Sequence, residues 1–495
     1  MTAYRELESR FKRMGLIGDA GAVLGWDRET MMPEGGNAAR AETVATLLVM
    51  RHEMLTDTRL GELIEEAGSD NSLDDWQRAN LLEMQRRRVH ATAVPADLVE
   101  AIVKASAESE MVWRKARPAS DFRMMLPHFK AVLALIREKA AIKAAALGAP
   151  PYEALMDEYE PGARTDRIDA IFDDYAAFLP GFLDQVLAKQ AQRPEPTRPP
   201  GPFPVEKQKA LGERFMKLIG FDFAHGRLDV SAHPFCGGTP DDVRITTRYA
   251  EDDFAQSLMG VLHETGHAMY ERQLPAGWRW QPVGGARGMS VHESQSLLIE
   301  MQICRGPDFI RFAAPLMREA FGGSGPAWEP DNLLRIYGRV ARSFIRVEAD
   351  EVTYPAHVIL RYRLEKRLLS GDLAMEDVPA VWAAELKTLL GIAPPDDRRG
   401  CLQDIHWPDG IYGYFPTYSL GAMTAAQLFD AARKANPGIL PAIGRGDFAP
   451  LMTWLRENVH GLGSKLSTDA LLTRATGRPL DPSVFKAHLR ARYLD

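Results

Sequence analysis

The sequence predicts a mainly α-helical protein with one small β element near the middle of the chain. Apolar residues recur at spacings of three and four through most of the first 190 residues, as in LPHFKAVLALIREKAAIKAAAL. This period is typical of amphipathic helices. The β element is expected within residues 228–249, where paired glycines, prolines and short β-branched runs favour two short strands or a hairpin.

The composition is that of an ordinary globular protein: 45% of the 495 residues are hydrophobic and 26% are charged. A chain of this length can bury a large core without disulfide bonds. Its three cysteines, Cys236, Cys304 and Cys401, are far apart and form no CxxC pair. A disulfide framework or a cysteine metal site is therefore not expected, and a reducing cytoplasm fits better.

The charge and hydropathy of the chain argue against two classes of partner. The formal net charge of -7 argues against nucleic acid. No stretch approaches 18 uninterrupted apolar residues, so no membrane partner is expected. The first twenty residues are charged and helix-like, and they lack the features of a signal peptide.

A proline-rich stretch, residues 191–204, interrupts the helical pattern. It cannot form regular helix, so a surface linker or an extended arm is expected there. The sequence predicts a single domain over residues 1–495. Its two lobes would be an N-terminal helical part of about residues 1–190 and a catalytic part of about residues 205–495.

The segment LMGVLHETGHAMYE contains two histidines, His263 and His267, four residues apart. On a helix they lie on one face, so both imidazoles can bind one metal ion. Glu264 stands beside them and can act as a general base on a water molecule. The flanking residues are apolar, and polar groups in a buried helix need partners. Zinc is the metal that this pattern favours.

A third metal ligand is needed, and an acidic or histidine residue on a later helix can supply it. Glu293 lies 26 residues after His267, in the segment SVHESQSLLIEM. A glycine-rich loop precedes this segment and can bring it back against the first helix. His292 and Glu300 are alternatives that spacing alone does not eliminate.

Several motifs in one order resemble the carboxypeptidase Taq family of zinc metallopeptidases. The resemblance covers almost the whole chain. The motifs, in order, are VLGWDRETMMPEGG, HPF, DVRIT, HETGH, HESQ, IRVEAD and GCLQDIHW. One such motif is weak, but the ordered series is specific. The chain departs from the family pattern at Leu297, where relatives commonly carry an arginine.

The resemblance implies a large helical metallopeptidase fold with a deep central groove and the small β element near the active site. It implies one zinc ion per chain, replaceable by cobalt, with Glu293 as the third ligand. It also implies a homodimer. The implied activity is removal of single residues from the C-termini of peptides, with broad side-chain preference.

Further residues receive roles by the same resemblance. His406 and a tyrosine of the stretch IYGYFPTYSLG are expected to stabilise the oxyanion. Tyr418 is preferred, with Tyr412 and Tyr414 as alternatives. Asp404 can orient an imidazole or act as a helix cap or surface charge.

A carboxypeptidase must also bind a terminal carboxylate, which suits the planar fork of arginine. The family resemblance singles out Arg346 in IRVEAD and Arg244 in DVRIT as the candidates. A structural ion pair between Arg346 and Asp350, four residues apart on an expected helix, is the alternative. His233 of HPF is expected to line the groove or to bond the substrate backbone.

The predicted mechanism is metal-assisted hydrolysis in which Glu264 takes a proton from the attacking water and delivers one to the leaving amine. Two other functions are compatible with parts of the pattern. A zinc endo-oligopeptidase shares the same zinc chemistry. The two functions differ in whether the groove is closed beyond the site that takes the last residue of the peptide. A catalytically silent peptide-binding scaffold would lack a ligand or Glu264, and all four residues are present.

Overall fold

Helices dominate the computed structural model, which describes residues 2–495, and this confirms the predicted fold class. Between these residues there are twenty α-helices and three short strands. The chain groups into two compact units, each assembled from three segments. None of the helices in the described part is both long and apolar enough to cross a membrane.

The first unit comprises Met1–Ala91, Glu195–Gly338 and Thr424–Leu480. Its strands are β1 (Gly226–Val230), β2 (Cys236–Thr239) and β3 (Asp242–Thr247). Its helices are α1 (Ala3–Thr30), α2 (Asn37–Thr56), α3 (Thr58–Gly68), α4 (Asp75–Ala93), α9 (Val205–Ile219), α10 (Phe254–Gln273), α11 (Met289–Leu297), α12 (Pro307–Phe321), α13 (Pro330–Tyr337), α17 (Ile439–Ile443), α18 (Ala449–Asn458) and α19 (Thr468–Thr476).

The second unit comprises Thr92–Pro194, Arg339–Met423 and Asp481–Asp495. Its helices are α5 (Ala96–Ala119), α6 (Phe122–Leu147), α7 (Pro151–Met156), α8 (Thr165–Ala191), α14 (Tyr354–Ser370), α15 (Val378–Leu390), α16 (Pro416–Ala435) and α20 (Pro482–Tyr493). Helix α16 begins in this unit and ends in the first one. The predicted lobes at 1–190 and 205–495 have other boundaries than these two units. The division of the chain into one domain with two lobes stays a prediction.

The small β element has one strand more than expected. Strands β2 and β3 are antiparallel and correspond to the predicted hairpin, while β1 pairs with β3 in parallel, so the order is β1-β3-β2. Gly238 in β2 has a φ of +81°, and a Cβ there would lie 2.2 Å from the Asp242 carbonyl oxygen. Only glycine fits this position. Strand β3 packs against α10.

The proline-rich stretch has no helix or strand between Ala191 and Val205, as predicted. It is anchored at its end, because Phe203 is buried in an aromatic cluster. The Phe203 ring centroid lies 4.8 Å from that of Phe254 and 5.0 Å from that of Phe321. Trp328 stacks on Phe254 at 5.6 Å. The cluster fixes the first residue of α10, the helix that contains the HETGH motif.

Candidate active site

Helix α10 begins at an N-cap that the sequence supplies. The Asp253 carboxylate accepts hydrogen bonds from the backbone N–H groups of Ala255 and Gln256, at 2.9 and 3.3 Å, which satisfies donors that the helix leaves unpaired. The helix runs to Gln273, just before Pro275. The ring centroids of His263 and His267, one turn apart, are separated by 5.0 Å.

Helix α11 approaches α10 at Gly266, the fourth residue of the HETGH motif. A Cβ at Gly266 would lie 2.5 Å from the Gln295 carbonyl oxygen and 2.6 Å from the Ser296 Cα. Backbone atoms cannot rotate away as side chains can, so any larger residue would separate the two helices. The glycine thus allows α11 to bring Glu293 to the histidines.

Three potential metal ligands converge at this contact. One ligand atom each of His263, His267 and Glu293 lies within 4.8 Å of the others. The Glu293 Oε2 atom is 3.4 Å from His267 Nε2 and 4.0 Å from His263 Nε2. Two ligands bonded to a tetrahedral zinc at about 2.1 Å lie about 3.4 Å apart. Two imidazoles and one carboxylate form the donor set of a catalytic zinc site, so these residues fit the implied metal.

The two alternative ligands are near the site but have other partners. Glu300 accepts a hydrogen bond from His263 Nδ1 at 2.9 Å and pairs with Arg305 at 2.6 Å. This bond places the His263 proton on Nδ1 and leaves Nε2 free for a metal. His292 donates from Nε2 to Glu271 at 2.8 Å.

Burial and neighbouring charges set the protonation of this cluster. Burial raises the pKa of Glu264 to about 7 and lowers that of His267 to about 4. Burial opposes the charge on His263, but the hydrogen bond to Glu300 and nearby carboxylates raise its pKa to about 10. Burial likewise opposes the charge on Glu293, yet the imidazoles lower its pKa to about 2. Without a metal, His263, His267 and Glu293 thus share protons, and a bound metal ion would displace those protons from its ligand atoms.

In the second unit, Asp404 lies between two arginines. Arg346 donates from Nε and Nη2 to Oδ1, at 3.1 and 2.9 Å, and Arg361 donates from Nε to Oδ2 at 2.7 Å. Arg346 also donates from Nη1 to the Tyr354 hydroxyl at 2.9 Å. Burial alone would raise the pKa of Asp404, but the two guanidinium groups hold it well below its usual range. Two cations and one anion leave a net positive charge there.

The alternative ion pair between Arg346 and Asp350 does not form. The segment Arg346–Glu348 is a single 3₁₀ turn rather than the expected helix, so the four-residue spacing does not bring the side chains together. Asp350 instead accepts hydrogen bonds from the backbone of Ala341, Val352 and Thr353. It fixes the backbone before α14.

His406 and Tyr418 lie together, with the tyrosine hydroxyl 3.5 Å from His406 Nε2. Burial, with the nearby arginines, lowers the pKa of His406 to about 4, so its imidazole is neutral at pH 7. Its buried Nδ1 has no hydrogen-bond partner within residues 2–495. Tyr412 is buried against Trp407 instead, and the Tyr414 ring packs on Tyr418.

The loop that contains His406 is held by Glu365 of α14. Its buried carboxylate accepts hydrogen bonds from the Tyr152 hydroxyl at 2.7 Å, Trp407 Nε1 at 2.9 Å and the Gly413 backbone at 3.0 Å. Burial raises the pKa of Glu365 to about 7. These bonds fix the backbone on both sides of the turn that precedes α16.

The two substrate-binding candidates of the first unit lie in and beside the sheet. Arg244 of β3 donates from Nε to Asp242 at 3.0 Å, and its guanidinium lies over the Trp26 ring at 4.5 Å. Nη1 of Arg244 makes no hydrogen bond with residues 2–495. His233 lies exposed in a bend between β1 and β2, where its carbonyl accepts from Ser231 Oγ at 2.6 Å.

Sequence reasoning missed several residues of these clusters. Glu271 and Arg361 have no spacing that links them to their partners, which lie on other segments of the chain. Arg305 lies only five residues after its partner Glu300, but five is not a helical spacing of three or four. Gly266 had a usable signal, because an isolated glycine inside an apolar helix often marks close packing.

A family model for "Carboxypeptidase Taq (M32) metallopeptidase" matches residues 6–493. The chain belongs to the carboxypeptidase Taq (M32) family. It is 39% identical to thermostable carboxypeptidase 1 of Thermus thermophilus, over 99% of this chain and 98% of that protein. It is 33% identical to carboxypeptidase 1 of Bacillus subtilis, with the same coverage of each.

Solved M32 structures have the same fold over the full chain. Metallocarboxypeptidase 1 of Trypanosoma cruzi superposes with a TM-score of 0.98 at 44% identity, covering 100% of this chain and 99% of that one. The Pyrococcus furiosus carboxypeptidase superposes with a TM-score of 0.94 at 32% identity and the same coverage. This M32 protein is therefore a metallocarboxypeptidase, a peptide-bond hydrolase that uses a metal ion.

The contact at Gly266 yields a prediction with a control in the same helix. Gly266→Ala should lower the free energy of unfolding by about 1–3 kcal/mol, because the methyl group meets backbone atoms of α11. It should also weaken metal binding by moving Glu293. Gly260→Ala should stabilise α10 by about 1 kcal/mol, since the nearest atom to its Cβ, Thr247 Oγ1, is 3.8 Å away. Denaturant unfolding and zinc titration of both variants check this, and equal behaviour would contradict it.

The buried Asp404 yields a pH prediction. Its folded-state pKa is depressed, so its stabilisation is complete above the unfolded pKa of about 3.9 and is lost as the pH falls below it. Asp404→Asn should cost about 3–5 kcal/mol at pH 7, because two buried guanidinium groups lose their counter-ion. The difference in unfolding free energy between the two proteins should stay constant from pH 7 to about pH 4. Below that it should narrow by no more than about 1.4 kcal/mol per pH unit, and most of it should persist at pH 3, because the folded-state pKa lies well below that pH. A difference that does not narrow at all below about pH 4 would disprove the assignment.

Proposed function

We propose that this M32 protein is a zinc carboxypeptidase that removes single residues from the C-termini of peptides with broad side-chain preference. One zinc ion per chain would be held by His263, His267 and Glu293, and cobalt could replace it. The observation that supports this best is the convergence of these three donors within 4.8 Å, next to the buried carboxyl of Glu264.

Glu264 is proposed as the general base. Zinc held by His263, His267 and Glu293 would supply a more acidic water and an electrophile for the scissile carbonyl. Glu264 then takes the proton of the attacking water and passes a proton to the leaving amine. A base works best when its pKa lies near the working pH, and burial raises the pKa of Glu264 to about 7.

His406 and Tyr418 are proposed to stabilise the oxyanion of the tetrahedral intermediate. Both can donate a hydrogen bond, His406 from the one N–H of its neutral imidazole and Tyr418 from its hydroxyl. The cluster of Arg346, Arg361 and Asp404 adds a net positive charge beside them. Donors fixed in place before the reaction stabilise developing negative charge without reorganisation.

Arg346, Arg244 and His233 are proposed to bind the substrate. Each arginine bonds one carboxylate through Nε and Nη2, which leaves only part of each guanidinium for a terminal carboxylate. In Arg244 the free group is Nη1. The exposed His233 side chain is suited to the peptide backbone. Binding through the remaining N–H groups would be weaker than a full bidentate pair.

A cytoplasmic homodimer is also proposed. The dimer rests on the family resemblance of the sequence. The cytoplasm is supported by the three cysteines, all free in the described residues.

The test uses zinc-loaded protein on one unblocked peptide and its C-terminally amidated twin, with products followed by mass spectrometry. Successive C-terminal losses from the unblocked peptide alone are expected. Internal cleavage of both peptides would contradict the proposal and indicate an endo-oligopeptidase. Absence of zinc uptake and of cleavage would indicate a peptide-binding scaffold.

Glu264→Gln should keep the metal and lose nearly all turnover, by about 10²-fold or more, because the amide cannot accept the proton. Zinc content and steady-state rates of the same preparation check both halves. Near-normal kcat with full zinc would remove Glu264 from the base role.

Tyr418→Phe should lower kcat by about 10²-fold if its hydroxyl stabilises the oxyanion. Tyr412→Phe is the matched control, since that hydroxyl is buried without a hydrogen-bond partner among the described residues. Its kcat should stay near that of the unmodified protein. Equal rates for both variants would overturn the choice of Tyr418.

A further inference from the structure

The two histidines of the proposed metal site are held in different ways. His263 is oriented by a hydrogen bond from Nδ1 to Glu300, which is itself paired with Arg305. His267 has no such bond: its Nδ1 is buried and has no hydrogen-bond partner within residues 2–495. Metal-binding histidines almost always donate their second ring nitrogen to a carboxylate, a carbonyl or water. Among the described residues, the His267 ring is therefore held by a packing contact and not by a hydrogen bond from Nδ1.

The ring of His292 supplies that contact. Its centroid lies 4.6 Å from that of His267, with an angle of 32° between the planes, so the two rings pack face to face with a tilt. His292 Nε2 also donates a hydrogen bond to Glu271, which lies four residues after His267 on α10.

Behind His292 the packing continues through two more rings. Tyr270 lies 5.5 Å from His292, and His460 lies 5.0 Å from Tyr270. His460 is anchored by Gln273 of α10 at 2.8 Å and Gln295 of α11 at 2.9 Å. The Tyr270 hydroxyl accepts the Arg287 backbone N–H at 3.0 Å. The row is thus fixed at its far end, and His292 has little room to move away from His267.

We propose that His292 is a positioning residue for the metal ligand His267, acting through ring packing rather than by binding the metal. This inference rests on the proposed zinc site. The imidazole of His292 limits rotation of the His267 ring about its Cβ–Cγ bond. It thereby keeps His267 Nε2 directed toward Glu293 Oε2, 3.4 Å away.

Two variants of His292 separate the effect of ring packing from the effect of hydrogen bonding. His292→Ala removes the ring, whereas His292→Phe keeps a flat ring and removes only the bond to Glu271. His128→Ala removes a histidine of the second unit, whose Nδ1 lies 3.8 Å from Glu108, and serves as the control. Zinc affinity is measured by competition with a chromophoric chelator, and site geometry by the absorption spectrum of the Co²⁺-loaded protein. Thermal unfolding of the metal-free variants shows whether each is folded.

His292→Ala should weaken zinc affinity roughly tenfold to a hundredfold and alter the Co²⁺ spectrum. His292→Phe and His128→Ala should remain close to the unmodified protein in both measurements. Two results would overturn the proposal. One is an unchanged zinc affinity in His292→Ala. The other is a zinc affinity in His292→Phe as low as that of His292→Ala, which would assign the effect to the imidazole nitrogens. If the unmodified protein binds no zinc, the proposed metal site itself fails, which distinguishes that failure from the failure of the role of His292.

Discussion

The contact between helices α10 and α11 at Gly266 is the constraint on which the proposed metal site depends. A Cβ at this residue would lie 2.5 Å from a carbonyl oxygen of α11, so the two backbones touch only because residue 266 is glycine. That contact brings Glu293 to within 3.4 Å of His267 Nε2. The Asp253 N-cap and the aromatic cluster around Phe203 fix the start of α10, and strand β3 packs against the side of the same helix. The arrangement of His263, His267 and Glu293 therefore follows from the packing of α10 against α11.

Both units bury charge, and in each the charges are compensated by named partners. In the first, Glu300 pairs with Arg305 while it bonds His263, so the carboxylate is neutralised on one side and orients the His263 ring on the other. In the second, Asp404 is bonded by two arginines. Buried ion pairs contribute little net stability, but removing one partner is costly. Such networks therefore fix side-chain positions more than they stabilise the fold, which is what catalytic groups require.

The fold class and the pairing of the two histidines could be predicted because both have short-range signals. Helical periodicity gave the mainly α-helical fold, and the His263–His267 spacing places both rings on one helix face. Glu293 could be selected only with the family resemblance, because the residues left His292 and Glu300 open. The third strand, the 3₁₀ turn at Arg346–Glu348 and the partners of Asp404 could not be predicted. They depend on tertiary contacts between distant segments, for which spacing holds no information.

The central claim is that His263, His267 and Glu293 together bind one zinc ion. Anomalous diffraction from crystals of the zinc-loaded protein, recorded above and below the zinc absorption edge, tests it most directly. The account predicts one strong edge-dependent peak per chain, within about 2.0–2.2 Å of His263 Nε2, His267 Nε2 and a Glu293 oxygen. A peak bonded to His292 or Glu300 in place of one of these residues, or no peak at this site, would contradict it.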